Sequence, residues 1–464
     1  MSGAAQVLAD GAIPERTQYA AALAFHIVFA CFGIAFPAVV LTVHRIGLRR
    51  RDPAAVLLAR RWSKMMAVIF AVGAVSGMVL SFGLGLLWPG LMRRYGAAFG
   101  IPFSVEGIWF FTEAVFLAIY IYGWRRLPPR LHWWLGTPLV VAAVFGAWSV
   151  VAANSWMNTP GGFTLSDGRV TDVDPWAVFF NRASLYEVPH MILAAYMVVG
   201  FTVAGIYAVG LLRGRRDRYH RLGFGVPFAI GAIAAPLQVL TGDWAARKIS
   251  EQQPLKFAAM ELVDHTHSHV TEWIGGIYLD GHVYFGIGIP SLDSILVGFR
   301  PDTVVIGWDS VRPRLRPPWP NLIHLSFDLM VGIGFALLVL GAWQGWIWYF
   351  RRSILRTRWF LVPTALSGAA AILAVELGWI VTEVGRQPWV VYGYLLTEDA
   401  DTTAGGVLAT LIAIFVIYAV LTAVVIGVPW TMSRRWRRAD ARQEDEEQTP
   451  YGPPPAERAE RVPA

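Results

Sequence analysis

The chain has 464 residues, 55% of them hydrophobic, with 21 tryptophans and a formal charge of +7. Apolar runs of twenty or more residues recur, more apolar surface than a soluble domain can hide, so the composition predicts an all-α, polytopic membrane helix bundle. A single cysteine, Cys31, excludes an internal disulfide and a Cys-x-x-Cys-His haem attachment, and the basic residues sit between apolar runs, which reads as membrane topology rather than nucleic-acid binding.

Nine spans are predicted, at 18–43, 65–88, 99–122, 134–156, 185–212, 222–241, 321–348, 359–383 and 404–431. No cleavable signal is expected, because Met1 to Glu15 lacks a basic start and an apolar core. Arg45, Arg49, Arg50, Arg51, Arg60 and Arg61 crowd the first connection; arginine clusters also mark the third, fifth and seventh connections and follow the last span. The alternate connections are arginine-poor or acidic, with Asp167, Asp172, Asp174, Glu398, Asp399 and Asp401. The positive-inside rule then places the N-terminus outside and the C-terminus in the cytoplasm. The connection at about 242–320 is too polar to span and too long for a turn, so it is expected as an outward-facing functional loop. Residues 1–432 read as the membrane domain and 433–464, charged and proline-rich, as a disordered cytoplasmic tail.

Several residues within this frame could carry chemistry. His26 lies in the first span, where a histidine either hydrogen-bonds within the bundle or ligates a metal. Glu106 and Glu113, seven apart in the third span, stack on one helical face about 10 Å apart. Such a pair suits a proton relay or a pair of structural hydrogen bonds. His132 falls in an arginine-rich connection, at the expected interface. Asn154 at the end of the fourth span could join a polar path or cap the helix. His190 in the fifth span and Met330 in the seventh offer imidazole and thioether, the axial pair of a low-spin haem b, although a methionine is most often core filler. In the long connection, the run around Lys256 and Glu261 reads on its own as an amphipathic surface helix. His265, His267 and His269 alternate two apart, a metal site if in a strand and a polar helical surface otherwise. Glu376, Trp379 and Glu383 share a face in the eighth span, where carboxylates are costly unless they pair or ligate. Gly385 and Pro388 then break the helix, with Arg386 and Gln387 between them.

Gly385-Arg386-Gln387-Pro388-Trp389, preceded by Glu383, resembles the signature of subunit I of the cytochrome bd-type quinol oxidases. Similar matches recur at Arg16-Thr17-Gln18-Tyr19 through Phe25-His26, Asn154-Ser155-Trp156-Met157, Glu187-Val188-Pro189-His190, Asp328-Leu329-Met330 and Gln253-Pro254-Leu255-Lys256-Phe257-Ala258-Ala259-Met260-Glu261. The resemblance covers all nine spans, in the form with a short quinol loop. It implies that His190 and Met330 ligate the iron of a low-spin haem b. It implies that His26, Glu106 and Glu383 serve a high-spin haem b and a haem d, or a further haem b in its place. Trp379 and Arg386 would lie on the inter-haem side with Glu376 nearby, and Glu113 on the channel side. Lys256 would hydrogen-bond a quinone oxygen and Glu261 would accept a quinol proton. Three departures stand out. The family has one more residue between the two glutamates, a hydroxyl residue where this chain has Gly146, and an arginine where it has Asp328.

His26, Glu106, His190, Met330 and Glu383 lie on different spans yet near the outer end of each, as a layer of haems near that face would require. The resemblance implies a quinol:O₂ oxidoreductase in a bacterial or archaeal plasma membrane. Quinol would give electrons at the loop and release protons outside. Protons for water formation would come from the cytoplasm, making the enzyme electrogenic without pumping. The implied partners are the membrane, quinol, O₂, a subunit II and a small single-span subunit, with no nucleic acid. Two rival readings are a divergent haem b relative with altered O₂ reduction and a non-redox transporter whose buried carboxylates bind ions.

Overall fold

Among the residues described by the computed structural model (12–353, 357–400, 407–442 and 451), nine helices are long and apolar enough to cross a membrane. They are α1 (Ala12–Arg50), α2 (Pro53–Leu87), α3 (Pro89–Gly123), α4 (Pro129–Asn158), α6 (Ser184–Leu212), α7 (Arg218–Gln252), α10 (Pro320–Arg351), α11 (Arg358–Gly385) and α12 (Val407–Arg442). Three short helices lie between them: α5 (Pro175–Phe179), α8 (Pro254–Glu261) and α9 (Leu292–Gly298). Proline opens α2, α3, α4, α8 and α10, where its missing N–H leaves no hydrogen bond unmade. Asp52 and Asp217 cap α2 and α7 by accepting from first-turn amides, and Arg218 ties the two caps together through Asp52.

The helices pack as neighbours in sequence, α1 on α2, α3 on α4, α6 on α7 and α10 on α11. Contacts of α6 with α1, α4 and α11 join these pairs into one bundle. In α6, 56% of the most apolar window is buried inside the chain, against 6% in α12. The first is therefore the hub of the bundle, and the second leans on α1 and α2 with most of its surface open. The up-and-down succession brings the C-terminal ends of α2, α4, α7 and α11 to the same end as the N-terminal ends of α3, α6 and α10. A second core of Leu91, Tyr95, Phe99, Trp156 and Val391 closes that end, and α8 packs there between α7, α10 and α11.

The chain departs from the expected boundaries at several helices, and α2 starts at Pro53 and α3 at Pro89, ahead of the expected 65 and 99. The sixth span does not stop at 241. Its helix runs on to Gln252, because Asp243–Arg247 and Lys248–Glu251 ion pairs support the polar extension, so the long connection starts at Gln253. After α4 comes a hairpin of β1 (Thr164–Ser166) and β2 (Arg169–Thr171); in the long connection, a hairpin of β4 (Ile277–Leu279) and β5 (His282–Tyr284) is nested between the paired strands β3 (Glu272–Ile274) and β6 (Ile287–Ile289). His265, His267 and His269 lie in irregular chain instead of a helix, and His267 forms a β-bridge to Val305. At the C-terminal side, the helix continues past 433 to Arg442, its last turns carrying arginines that suit a helix C-terminus. Asp401, the first residues of the ninth span at 404–406, and the tail at 443–450 and 452–464 lie outside the described residues. His132, expected at the interface, is fully buried between the Tyr120 backbone carbonyl and the Tyr451 hydroxyl.

Candidate functional site

The break after α11 organises one end of the bundle. Glu383 accepts from the Asn154 side-chain amide through one carboxylate oxygen and from Arg386 at 2.6 Å through the other. One helical turn along α4, Asn158 donates to Glu187 of α6 at 2.9 Å, and its own carbonyl oxygen accepts from Lys256 Nζ at 3.1 Å. Asn154 and Asn158 also meet, at 3.5 Å. A continuous polar chain therefore runs Arg386–Glu383–Asn154–Asn158–Lys256, with Glu187 as a branch. The close seat of α8 depends on Gly385, where a Cβ would stand 2.9 Å from Lys256 Cγ. Burial pushes the Lys256 ammonium down to about 7, with the Glu187 charge acting the other way. Lys256 is thus buried, which overturns the expectation of a surface helix at this run.

His26, His190 and Met330 sit on three different helices, each against a glycine. A Cβ on Gly77 of α2 would meet His26 Cε1 at 3.0 Å, one on Gly242 of α7 would meet His190 Cε1 at 3.3 Å, and one on Gly378 of α11 would meet Met330 Sδ at 3.0 Å. His26 Nδ1 lies 3.0 Å from the Ser76 hydroxyl, which itself donates to the Gly73 carbonyl. Ser76 has one proton to give, so it accepts from His26, and His26 Nε2 keeps its lone pair. His190 meets the Gln238 side-chain amide at 3.1 and 3.3 Å. Arg386 is 4% exposed, and its Nε and one terminal nitrogen are buried without an acceptor. A free imidazole lone pair, a thioether and a buried arginine with unused donors fit haem, which needs axial N or S ligands and carries two carboxylates of its own. Trp379 packs at the edge of the main core, and Glu376 lies within electrostatic reach of Cys31 on α1.

Glu106 and Glu113 are both half-buried on the unbroken helix α3 and within electrostatic reach of each other. Gly146 of α4 lies against Trp109 of α3, between the levels of the two glutamates.

The two loop residues of the expected quinol site are not brought together. They are five apart on α8, about 140° around the helix. Lys256 faces the polar chain, whereas Glu261 faces Glu272 of β3 and Asp293 of α9. Burial and the neighbouring carboxylates push Glu261 well above the usual carboxylate range, Glu272 to about 7 and Asp293 to about 8. Asp328, where the resemblance leads one to expect an arginine, accepts from the Gly275 amide and lies 3.4 Å from His324. His324 in turn meets the Met260 and Gly275 carbonyls at 2.6 and 3.1 Å. Asp328 and His324 thus fasten the loop to α10. Ser76, Gln238 and His324 went unassigned in the sequence, where a polar residue inside an apolar span is the available signal. Glu272 and Asp293 carry no local signal.

Among the described residues, nine membrane-length helices bring half-buried histidine, methionine and carboxylate side chains toward one end, the build of a multi-pass membrane protein. The family model described as cytochrome bd terminal oxidase subunit I matches residues 15–436, and the chain belongs to that family of haem-bearing oxidoreductases. A Bacillus subtilis chain provisionally described as a cytochrome bd menaquinol oxidase subunit I is 35% identical over 430 residues, covering 90% of this chain and 96% of its own. Cytochrome bd ubiquinol oxidase subunit 1 of the same organism is 29% identical, covering 89% and 91%. The solved bd oxidase of Geobacillus thermodenitrificans superposes with a TM-score of 0.85 at 34% identity, covering 92% of this chain and 99% of its own.

Proposed function

We propose that the chain is the haem-bearing subunit of a quinol:O₂ oxidoreductase, acting with a subunit II and a small single-span subunit in a bacterial or archaeal plasma membrane. His190 and Met330 would hold low-spin haem b, and His26, Glu106 and Glu383 would serve a high-spin haem b and a haem d or its haem b substitute. When bound, the haems would supply one-electron transfer, and a high-spin iron with an open position would supply O₂ reduction. The observation that carries the reading is the polar chain from Lys256 to Glu383 and Arg386. It links the loop run that resembles the quinol site to the carboxylate of the α11 signature. Lys256 would hydrogen-bond the quinone oxygen while Glu261, on another side of α8, takes a proton toward the outside. Arg386 holds Glu383 in place and supplies buried positive charge beside it. Protons used to make water would come from the cytoplasm, so turnover separates charge without a pump. Family membership sets aside the transporter reading.

The test pairs quinol turnover with an artificial donor in the purified complex. Lys256→Ala should slow quinol oxidation roughly 10- to 100-fold, the worth of a hydrogen bond to a charged group, with haem absorbance intact and the artificial donor less affected. Equal loss of both activities together with haem would make α8 a structural part only. One observation favours the divergent form of the enzyme. The residue two before Met330 is Asp328, turned to the loop, so the cation expected beside that haem is replaced by an acid. Because reduction adds a negative charge, the low-spin potential should lie below that of relatives with arginine, which a redox titration reads directly.

A further inference from the structure

Beyond the polar chain and the haem ligands, Glu261 belongs to a buried group of acids whose other two members have no assigned role. Glu261, Glu272 and Asp293 place their ligand oxygens within 4.8 Å of one another. They come from three separate elements: the last residue of α8, the first of β3 and the first turn of α9. Glu261 and Asp293 are 4% and 1% exposed, and Glu261 Oε2, Glu272 Oε2 and Asp293 Oδ2 are each buried without a hydrogen-bond donor. Asp328 adds a further negative charge within reach of Glu261. The nearby bases are engaged elsewhere: Lys256 turns to Asn158, and the His324 ring nitrogens face the Met260 and Gly275 carbonyls.

We propose that Glu261, Glu272 and Asp293 form a binding site for one hard divalent cation of the calcium or magnesium class. Two oxygens bound to a single calcium ion at about 2.3–2.6 Å can be no more than about 5 Å apart, so the spacing suits a calcium-sized ion, while magnesium, at about 2.0–2.1 Å, would need the side chains to draw closer. Burying several carboxylates without a counter-charge costs several kcal/mol for each ion, and a bound cation removes that cost while using the donor-less oxygens. The ligand set is oxygen only, which suits a hard cation and not one that seeks thiolate or imidazole. The ion would join three otherwise separate pieces of the loop, α8, the β3–β6 hairpin and α9, beside the outward face of α8. The reading shares Glu261 with the quinol assignment but rests on the cluster alone.

The experiment measures metal uptake by the purified complex. After treatment with a chelator, the protein is dialysed against millimolar Ca²⁺ or Mg²⁺ and the bound metal is counted by elemental analysis, with calorimetry for affinity. One ion per chain is expected in the wild type. Asp293→Asn and Glu272→Gln should each weaken binding about tenfold or more, while Asp309→Asn, a carboxylate at the loop surface, should leave it unchanged. Haem absorbance in each sample reports whether the variant has folded. A wild-type complex that takes up neither ion overturns the proposal whatever the variants do, and shows that the three acids share protons instead. Uptake by Asp293→Asn equal to wild type also overturns it. Quinol turnover is not the readout, so failure here leaves the proposed oxidase activity standing.

Discussion

At the level of single residues, the orientation of His26 rests on one hydroxyl. Ser76 donates to the Gly73 carbonyl and must accept from His26 Nδ1, which aims Nε2 away with its lone pair free. Partners of this kind fix both tautomer and ring position, and their loss typically costs metal affinity roughly 10- to 100-fold. Ser76→Ala should therefore lower high-spin haem occupancy while leaving the low-spin spectrum in place, as read by haem extraction per chain and by absorbance. Unchanged occupancy and spectrum would show that His26 is an ordinary bundle histidine. Met330→Leu removes the thioether at nearly constant volume, beside a glycine that already lets α11 approach to contact. The low-spin haem should become five-coordinate or fall in potential. A redox titration and a low-spin spectrum identical to wild type would remove Met330 as a ligand.

The elements differ in how far they could be read from the sequence. Membrane helices declare themselves by long apolar runs, and all nine follow them. Glu383, Asn154 and Lys256 lie in motifs that stand out in the sequence, and they end up on one polar chain. What is missing from the sequence is which side of α8 each residue faces, and that Glu272 and Asp293, 11 and 32 residues beyond Glu261, return to it. Such contacts depend on how loop hairpins fold back, which no local periodicity records. The seat of α8 can be tested through its tightest approach. A methyl at Gly385 would stand 2.9 Å from Lys256 Cγ, and α8 would have to shift or the lysine stem to bend. Gly385→Ala should lower quinol turnover several-fold with less effect on the artificial-donor rate. A variant with wild-type quinol kinetics would mean that the close packing of α11 on α8 has no bearing on the loop site.

For the molecule as a whole, the proposed haem ligands and the proposed quinol loop lie toward one end of the bundle, so on that proposal protons drawn from the other side need a route through it. Helix α3 offers one. Glu106, Glu113 and Tyr120 recur every seven residues along it and so share a face. Tyr120 is fully buried and bonds through its hydroxyl to His44 at 2.9 Å, on the side away from the loop. The two glutamates lie between that cluster and the proposed haem end, half-buried, and among the described residues neither makes a side-chain hydrogen bond. If Glu113 passes protons, Glu113→Gln keeps the shape of the side chain but cannot release a proton near neutral pH. Turnover should then fall roughly 100-fold, within the usual worth of a positioned proton carrier. Haem content should hold, and membrane-potential generation in reconstituted vesicles should fall in proportion to turnover. Glu106→Gln should instead disturb a high-spin spectrum, because it lies nearer the haem end. The interval between the two glutamates is one residue shorter than the resemblance leads one to expect, which would turn Glu113 by about 100°. Wild-type rate and voltage in Glu113→Gln would mean that the route runs along another helix.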